Sequence, residues 1–354
     1  MGGVAGFMSV PPKPTRRTLA LTRRLNLHYV TREQLTIERR RNGESFTYWA
    51  PDGRAVTNPL LLRRFASLAV PPAYEEVHFS PDSRAHLQAV GRDAAGRLQY
   101  RYHPDWQKIR EATKAKKLAT LASVMPKIRR AIAQHLGAGA PTREFALAAA
   151  IELVGASSIR AGSEEYAKQH GTRGALTLLK SNLRVTGDEI ALVFRGKGGK
   201  EISRRFQSPR LAAAIPLLRS LPGPRLFQYR TADGEIRRAT AKDVNIFLRE
   251  IAGSDVSLKD FRTLSASAAV LENLARTAPA SSQRKRRKQV LDAVKAAAED
   301  LANTPAVCRK SYVHEAVVAA FEKGRLESLA TLLKSRRSRA TCEKFLAQVV
   351  ASGL

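Results

Sequence analysis

At Pro104 the chain changes its period, and no other feature limits its fold as much. From Asn26 to about His103, turn signals at Asn42-Gly43, Asp52-Gly53 and Gly96 separate short stretches such as Ser45 to Trp49 and Leu98 to Tyr102. That punctuation belongs to a small strand-rich domain. Beyond Pro104 the apolar spacing lengthens into helical runs, Leu118 to Leu136 ending at Gly137, and Arg143 to Val154 following Pro141 and ending at Gly155. One β interruption, Leu183 to Val185, Glu189 to Arg195 and Glu201 to Phe206 with turns at Gly187-Asp188 and Gly196 to Lys200, predicts a three-stranded meander. Helices resume at Ser208-Pro209, at Thr240 with Asp243 as capping-box partner, near Leu258, and from Ser281 through Ala302. The expected class is α+β in three segments: a basic, disordered arm over 1–24, a small strand-rich N-terminal domain over 25–103, and a larger, mostly α-helical domain over 104–354 carrying the β meander.

Charge narrows the partner. Lys and Arg number 61 against 31 Asp and Glu, a net charge of +30, which favours a polyanion without naming a chemistry. Cys308 and Cys342 lack CxxC spacing and the seven histidines form no metal-ligand pattern, so neither a disulfide scaffold nor a zinc site is expected. No apolar run nears the roughly 20 residues that span a bilayer, and Met1 to Arg24 lacks the apolar stretch of a secretory signal. A soluble cytoplasmic protein without a membrane partner is expected.

Four groups of residues could carry chemistry. In Asn303-Thr304-Pro305-Ala306-Val307-Cys308-Arg309-Lys310-Ser311-Tyr312, Thr304-Pro305 has the form of an N-cap and first helical position, placing Tyr312 about two turns into a short basic helix. A tyrosine of ordinary pKa, about 10, attacks phosphate poorly at neutral pH unless cations stabilise the phenolate and the transition state. Candidate cations are Arg160 in Ile159-Arg160-Ala161-Gly162, Lys197 at the tip of the glycine-rich hairpin, and Lys259 with Arg262, three apart on one helix face. Each taken singly also suits a solvated surface charge, and a lone tyrosine suits packing.

In their order these segments resemble the type IB DNA topoisomerases, in particular the compact bacterial and poxvirus-like branch. The resemblance begins near Tyr29-Val30-Thr31, runs through Pro51-Asp52-Gly53-Arg54 and Pro71-Pro72-Ala73, and is densest in the stretch from Gly91-Arg92-Asp93 through Gly96-Arg97 to Gln99-Tyr100-Arg101-Tyr102-His103. There Arg92, Arg97 and Arg101 interleave with Tyr100 and Tyr102, a pattern suited to a DNA-facing strand. The resemblance implies Tyr312 as nucleophile, Arg160 and Arg262 on the non-bridging oxygens of the scissile phosphate, and Lys197 as proton donor helped by Lys259. It also implies relaxation of duplex DNA through a 3′-phosphotyrosyl link by a monomer that clamps DNA, hinged near His103 to Lys108, in the bacterial nucleoid, with no metal, nucleotide or other cofactor. Poxvirus members place a histidine nine residues before the nucleophile; here that position is Asn303, a neutral hydrogen-bonding group. Further departures are Ser163, Asn182 and Leu264, where asparagine, histidine and an aromatic residue are usual. A tyrosine site-specific recombinase would share Arg160, Lys197, Arg262 and Tyr312 but not the stretch from Gly91 to His103, and a non-catalytic nucleoid protein would have no need of the full set. The cluster Arg284 to Lys288 reads as a solvated helix start, a DNA-tracking patch or a nuclear localisation signal.

Overall fold

The computed structural model describes residues 14–335 and 339–352, and the chain divides into two compact units between Thr113 and Lys114. The first unit holds a five-stranded antiparallel sheet built from β1 (Ile37–Asn42), β2 (Ser45–Trp49), β3 (Glu75–Phe79), β4 (Leu87–Arg92) and β5 (Leu98–Tyr102), in the order β2-β1-β3-β4-β5. Two helices accompany it. Of the arm expected over 1–24, residues 1–13 lie outside the described residues, and Arg16–Arg24 form helix α1 rather than a disordered segment. Thr15 caps α1 by accepting the Thr18 N–H, and Thr18, Thr22 and Leu25, spaced four and three apart, turn one face inward while the arginines stay out. Helix α2 (Pro59–Ser67) starts on the Asn58 cap with Pro59 in the first turn, and its Phe65 packs with Ile37, Val77, Phe79 and Ala89 against the sheet.

An aromatic cluster closes the first unit. His86 is 1% exposed, stacked on Tyr29 at 4.2 Å and met by Trp106 at 4.3 Å between ring centroids. The Val30 N–H donates to its Nδ1, and burial pushes the imidazole down to about 4, so the ring is neutral. Strands do give way to helix after His103, but the division between units lies farther on, inside helix α3 (Trp106–Leu136), because Trp106 at its start packs with His86 and Tyr102.

The second unit continues from α3 with α4 (Arg143–Ser157) and α5 (Glu164–His170), then the antiparallel meander β6 (Leu183–Thr186), β7 (Glu189–Arg195) and β8 (Glu201–Gln207). There follow α6 (Pro209–Ser220), the small hairpin β9 (Gln228–Arg230) and β10 (Ile236–Arg238), α7 (Ala241–Ala252), α8 (Leu258–Ala275), α9 (Gln283–Asp300), α10 (Pro305–Ser311), α11 (Glu315–Glu322), α12 (Glu327–Ser335) and α13 (Arg339–Ser352). Helix α4 is buried nearly all round: Phe145, Leu147, Ile151 and Leu153 fill the core, and Ala146, Ala148, Ala149 and Ala150 let α6, α7, α8 and β8 approach. Helix α8 is the second axis, touching α4, α9, α11 and α13. The C-terminal end of α4 and the first turns of α8 meet, and the candidate site lies there. Among the described residues no helix is long and apolar enough to cross a membrane.

Candidate active site

Arg160 stands just past the end of α4. Ser158, the C-cap, adopts a left-handed conformation (φ 55°), which turns Ile159 into the core and leaves Arg160 at the surface of the site. The chain at 174–176 then locks this turn, with Ala175 N–H donating to Arg160 O and Leu176 N–H to Ala161 O, each at 2.8 Å. Only glycine fits at 174, since a Cβ there would lie 2.5 Å from both the Arg160 carbonyl oxygen and the Gly162 nitrogen. Gly162, at φ +89°, is pressed against the same segment.

Arg262 sits one turn into α8, which the Ser257–Asp260 capping box starts. The reading of Lys259 and Arg262 as a solvated pair fails for Arg262, which is 3% exposed. Its Nη1 donates to Ser158 O and its Nη2 to Leu301 O at 3.0 Å, so the C-terminal carbonyls of α4 and α9 hold the guanidinium. Such carbonyls carry negative partial charge and favour a cation without neutralising it. Burial pulls the Arg262 pKa down, with Tyr312 acting against that pull, and the group stays charged as arginines do. Its Nε is buried without a partner among the described residues.

Tyr312 is the C-cap of α10, which Thr304 and Pro305 begin as expected. The ring is half-buried, and the Arg262 guanidinium carbon lies 5.3 Å from its centroid. Burial alone would raise the phenol's pKa, but the charges of Arg262, Arg160 and Lys259 outweigh it and hold the phenol below its ordinary value. Asn303 follows Ala302, whose left-handed backbone (φ 47°) turns the chain from α9 toward α10. Asn303 Oδ1 accepts from Arg160 Nη2 at 2.6 Å, which fixes the amide's orientation and leaves Nδ2 buried with no partner among the described residues. Buried donors are nearly always paired, so Arg262 Nε and Asn303 Nδ2 are conspicuous here.

Lys197 lies between β7 and β8, in a turn closed by Gly196 N–H to Lys200 O at 2.7 Å. It lines a concavity together with Arg160, Arg262, Arg173, Arg204 and Asp300. Three of the residues singled out in the sequence thus share one hollow; Asn303 joins them through Arg160, and Tyr312 and Lys259 flank Arg262. Arg204, which the sequence did not single out, donates from Nη2 to Glu299 O and Asp300 O and ties β8 to the end of α9. Gly174, Ser158 and Leu301 were also missed, because their contributions are backbone atoms.

In the first unit the candidate DNA contacts separate by face. Tyr100 and Tyr102 pack against the cluster of Leu35, Leu87 and Val90, and burial pushes the Tyr102 phenol up to about 12. Arg101 points the other way along β5, donating to Ala69 O at 2.9 Å. Arg92 pairs with Glu76 at 2.6 Å and Arg97 with Asp93 at 2.7 Å, an interaction that helps hold the Asp93 carboxyl down at about 2.

Comparison with known proteins finds similarity in both parts of the chain. Residues 103–338 match the family model described as eukaryotic DNA topoisomerase I, catalytic core, and residues 45–93 match that of bacterial DNA topoisomerase IB, N-terminal domain. A "DNA topoisomerase 1B" of Acanthamoeba polyphaga mimivirus is 29% identical over 284 residues, covering 78% of this chain and 84% of that protein. The protein of the same name from vaccinia virus (strain Copenhagen) is 24% identical over 236 residues, covering 66% of this chain and 71% of its own.

Proposed function

The chain belongs to the type IB DNA topoisomerases, and from that premise we propose that Tyr312 is the residue that breaks and reseals the DNA strand. The observation that carries the assignment is a half-buried phenol whose pKa is lowered, against its burial, by Arg262, Arg160 and Lys259.

The Tyr312 phenol, its pKa lowered by the neighbouring cations, gives up its proton to solvent as its oxygen attacks phosphorus, and the bond from phosphorus to the 5′ oxygen breaks, giving a 3′-phosphotyrosyl ester. Arg160 and Arg262 take the two non-bridging oxygens, where negative charge grows in the transition state. Asn303 donates from Nδ2, its Oδ1 being occupied by Arg160. Lys197, helped by Lys259, gives its proton to the departing 5′ oxygen. Because the new ester is close in energy to the old one, the 5′-hydroxyl reverses the step after the duplex has swivelled, without ATP. From the first unit Arg101, together with Arg92 and Arg97, contacts the duplex, and Tyr100 and Tyr102, packed on the face of β5 opposite Arg101, hold that strand in place. The protein acts as a monomer in the cytoplasm, on the nucleoid, and requires no cofactor or divalent metal.

Supercoiled plasmid incubated with the protein in EDTA without ATP tests this reading. Wild type should relax it and Tyr312→Phe should not. Failure of wild type, or equal relaxation by the Phe variant, would overturn the assignment, and binding without relaxation would favour a structural nucleoid role.

A further inference from the structure

Tyr312 leaves α10 with non-helical backbone angles (φ −121°, ψ −23°), so the carbonyls of Tyr312 and Val313 lie beyond the helix's own donors. Two side chains outside the proposed catalytic set supply donors for them. Ser267 of α8, 0% exposed, donates from Oγ to Tyr312 O at 2.8 Å and accepts from His314 N–H at 3.2 Å. Lys114 of α3, 199 residues away in sequence, donates from Nζ to Val313 O at 2.8 Å. The strap 312–314 is thereby held at three consecutive residues by side chains from two helices.

We propose that Lys114, with Ser267, is a positioning residue that sets the strap carrying Tyr312 in register for in-line attack. This rests on the reading of Tyr312 as nucleophile. A cation on a backbone carbonyl makes a strong, directional bond. Displacing a reacting group by about 1 Å is enough to slow chemistry up to a hundredfold, so the bond acts on rate. Arg262, Arg160 and Lys259 lower the phenol's pKa, and the role proposed for Lys114 is to act on the position of the phenol. One donor of the Lys114 ammonium is engaged by the strap carbonyl, and the salt dependence of binding distinguishes this role from a phosphate contact.

The test is single-turnover cleavage of a short nicked duplex by wild type, Lys114→Met, Lys114→Arg, Ser267→Ala and Tyr312→Phe, with binding measured over a range of salt. Lys114→Met should cleave about tenfold more slowly or worse. It should keep the wild-type salt dependence of binding and the wild-type ascending limb of the pH–rate profile, and Lys114→Arg, which keeps a donor, should recover most of the rate. A 5′-bridging phosphorothiolate substrate, whose leaving group needs no proton, should be cleaved with the same relative deficit. Wild-type rate in Lys114→Met overturns the proposal. So does a salt slope lower by about one, which marks a phosphate contact, or rescue by the phosphorothiolate, which marks an acid. If Lys114→Met does not melt cooperatively, Ser267→Ala must show the same slowing, and a wild-type rate there overturns the proposal equally. Cleavage by Tyr312→Phe would instead sink the nucleophile assignment.

Discussion

Arg92 and Arg97 of the first unit and Arg160 and Arg262 of the second are held in opposite ways. On the first unit Arg92 and Arg97 face carboxylates, Glu76 and Asp93, so most of their charge is cancelled before any ligand arrives. In the second unit Arg160 and Arg262 are held by neutral oxygens, Asn303 Oδ1, Ser158 O and Leu301 O. A neutral acceptor fixes the guanidinium's direction and leaves its charge intact. A site meant to stabilise a pentavalent phosphorus needs such uncompensated, preorganised charge, whereas a turn on a sheet edge needs its shape stabilised. The units also offer a contrast in buried titratable groups: His86, a neutral imidazole among aromatic rings, in the first, and Arg262, a charged guanidinium, in the second.

Removing the uncompensated charge should have the largest effect. Arg262→Ala should slow strand cleavage on the order of a thousandfold, and because Arg262 lowers the Tyr312 pKa, the ascending limb of the pH–rate profile should move to higher pH. An unmoved limb would show that the phenol is tuned elsewhere.

His86 gives the counterpart in the first unit. Its folded pKa, about 4, lies below the unfolded value near 6.5, so the unfolded chain binds more protons between them. The stability it contributes is complete above about pH 6.5 and is lost as pH falls toward 4, a loss of up to about 3 kcal/mol. Both tryptophans of the chain, Trp49 and Trp106, lie in this unit, so intrinsic fluorescence of the full protein during denaturation reads it directly. His86→Phe should flatten that pH dependence.

Converting a neutral acceptor into a charged one imports the first unit's design into the second. Asn303→Asp would pair Arg160 with a carboxylate and delete the Nδ2 donor, and cleavage should fall on the order of a hundredfold. The smallest effect should separate the first unit's own arginines. Arg101→Ala, which frees no carboxylate, should lower the salt slope of DNA binding by about one, and Arg92→Ala should change it less. Equal slopes would mean that the Glu76 pairing does not matter.

The features legible in the sequence are those with local causes. Thr304-Pro305 starts α10, Thr240 and Asp243 cap α7, and the glycine turns at 187 and 196–199 set the meander. The identities of Arg160, Lys197, Arg262 and Tyr312 stood out by their order along the chain. Their holding groups did not. Leu301 and Ser158 act through carbonyls, which no side-chain pattern reveals, and Gly174 matters only because Arg160 folds back over it. Lys114 meets Val313 across 199 residues, a distance over which periodicity carries no information. Helix α1 was hidden by its arginines, since one inward face of Thr18, Thr22 and Leu25 suffices to order a segment whose composition suggests a solvated tail.

On the proposed mechanism Tyr312, activated by cations held on neutral acceptors, carries the broken strand. The most direct test is to trap the protein on a nicked duplex whose short cleaved fragment dissociates, digest the adduct, and identify by mass the peptide that bears the nucleotide. The nucleotide should be found on Tyr312, attached through the DNA 3′ phosphate, with no adduct formed by Tyr312→Phe. A nucleotide on any other residue, or an adduct of undiminished yield in the Phe variant, would contradict it.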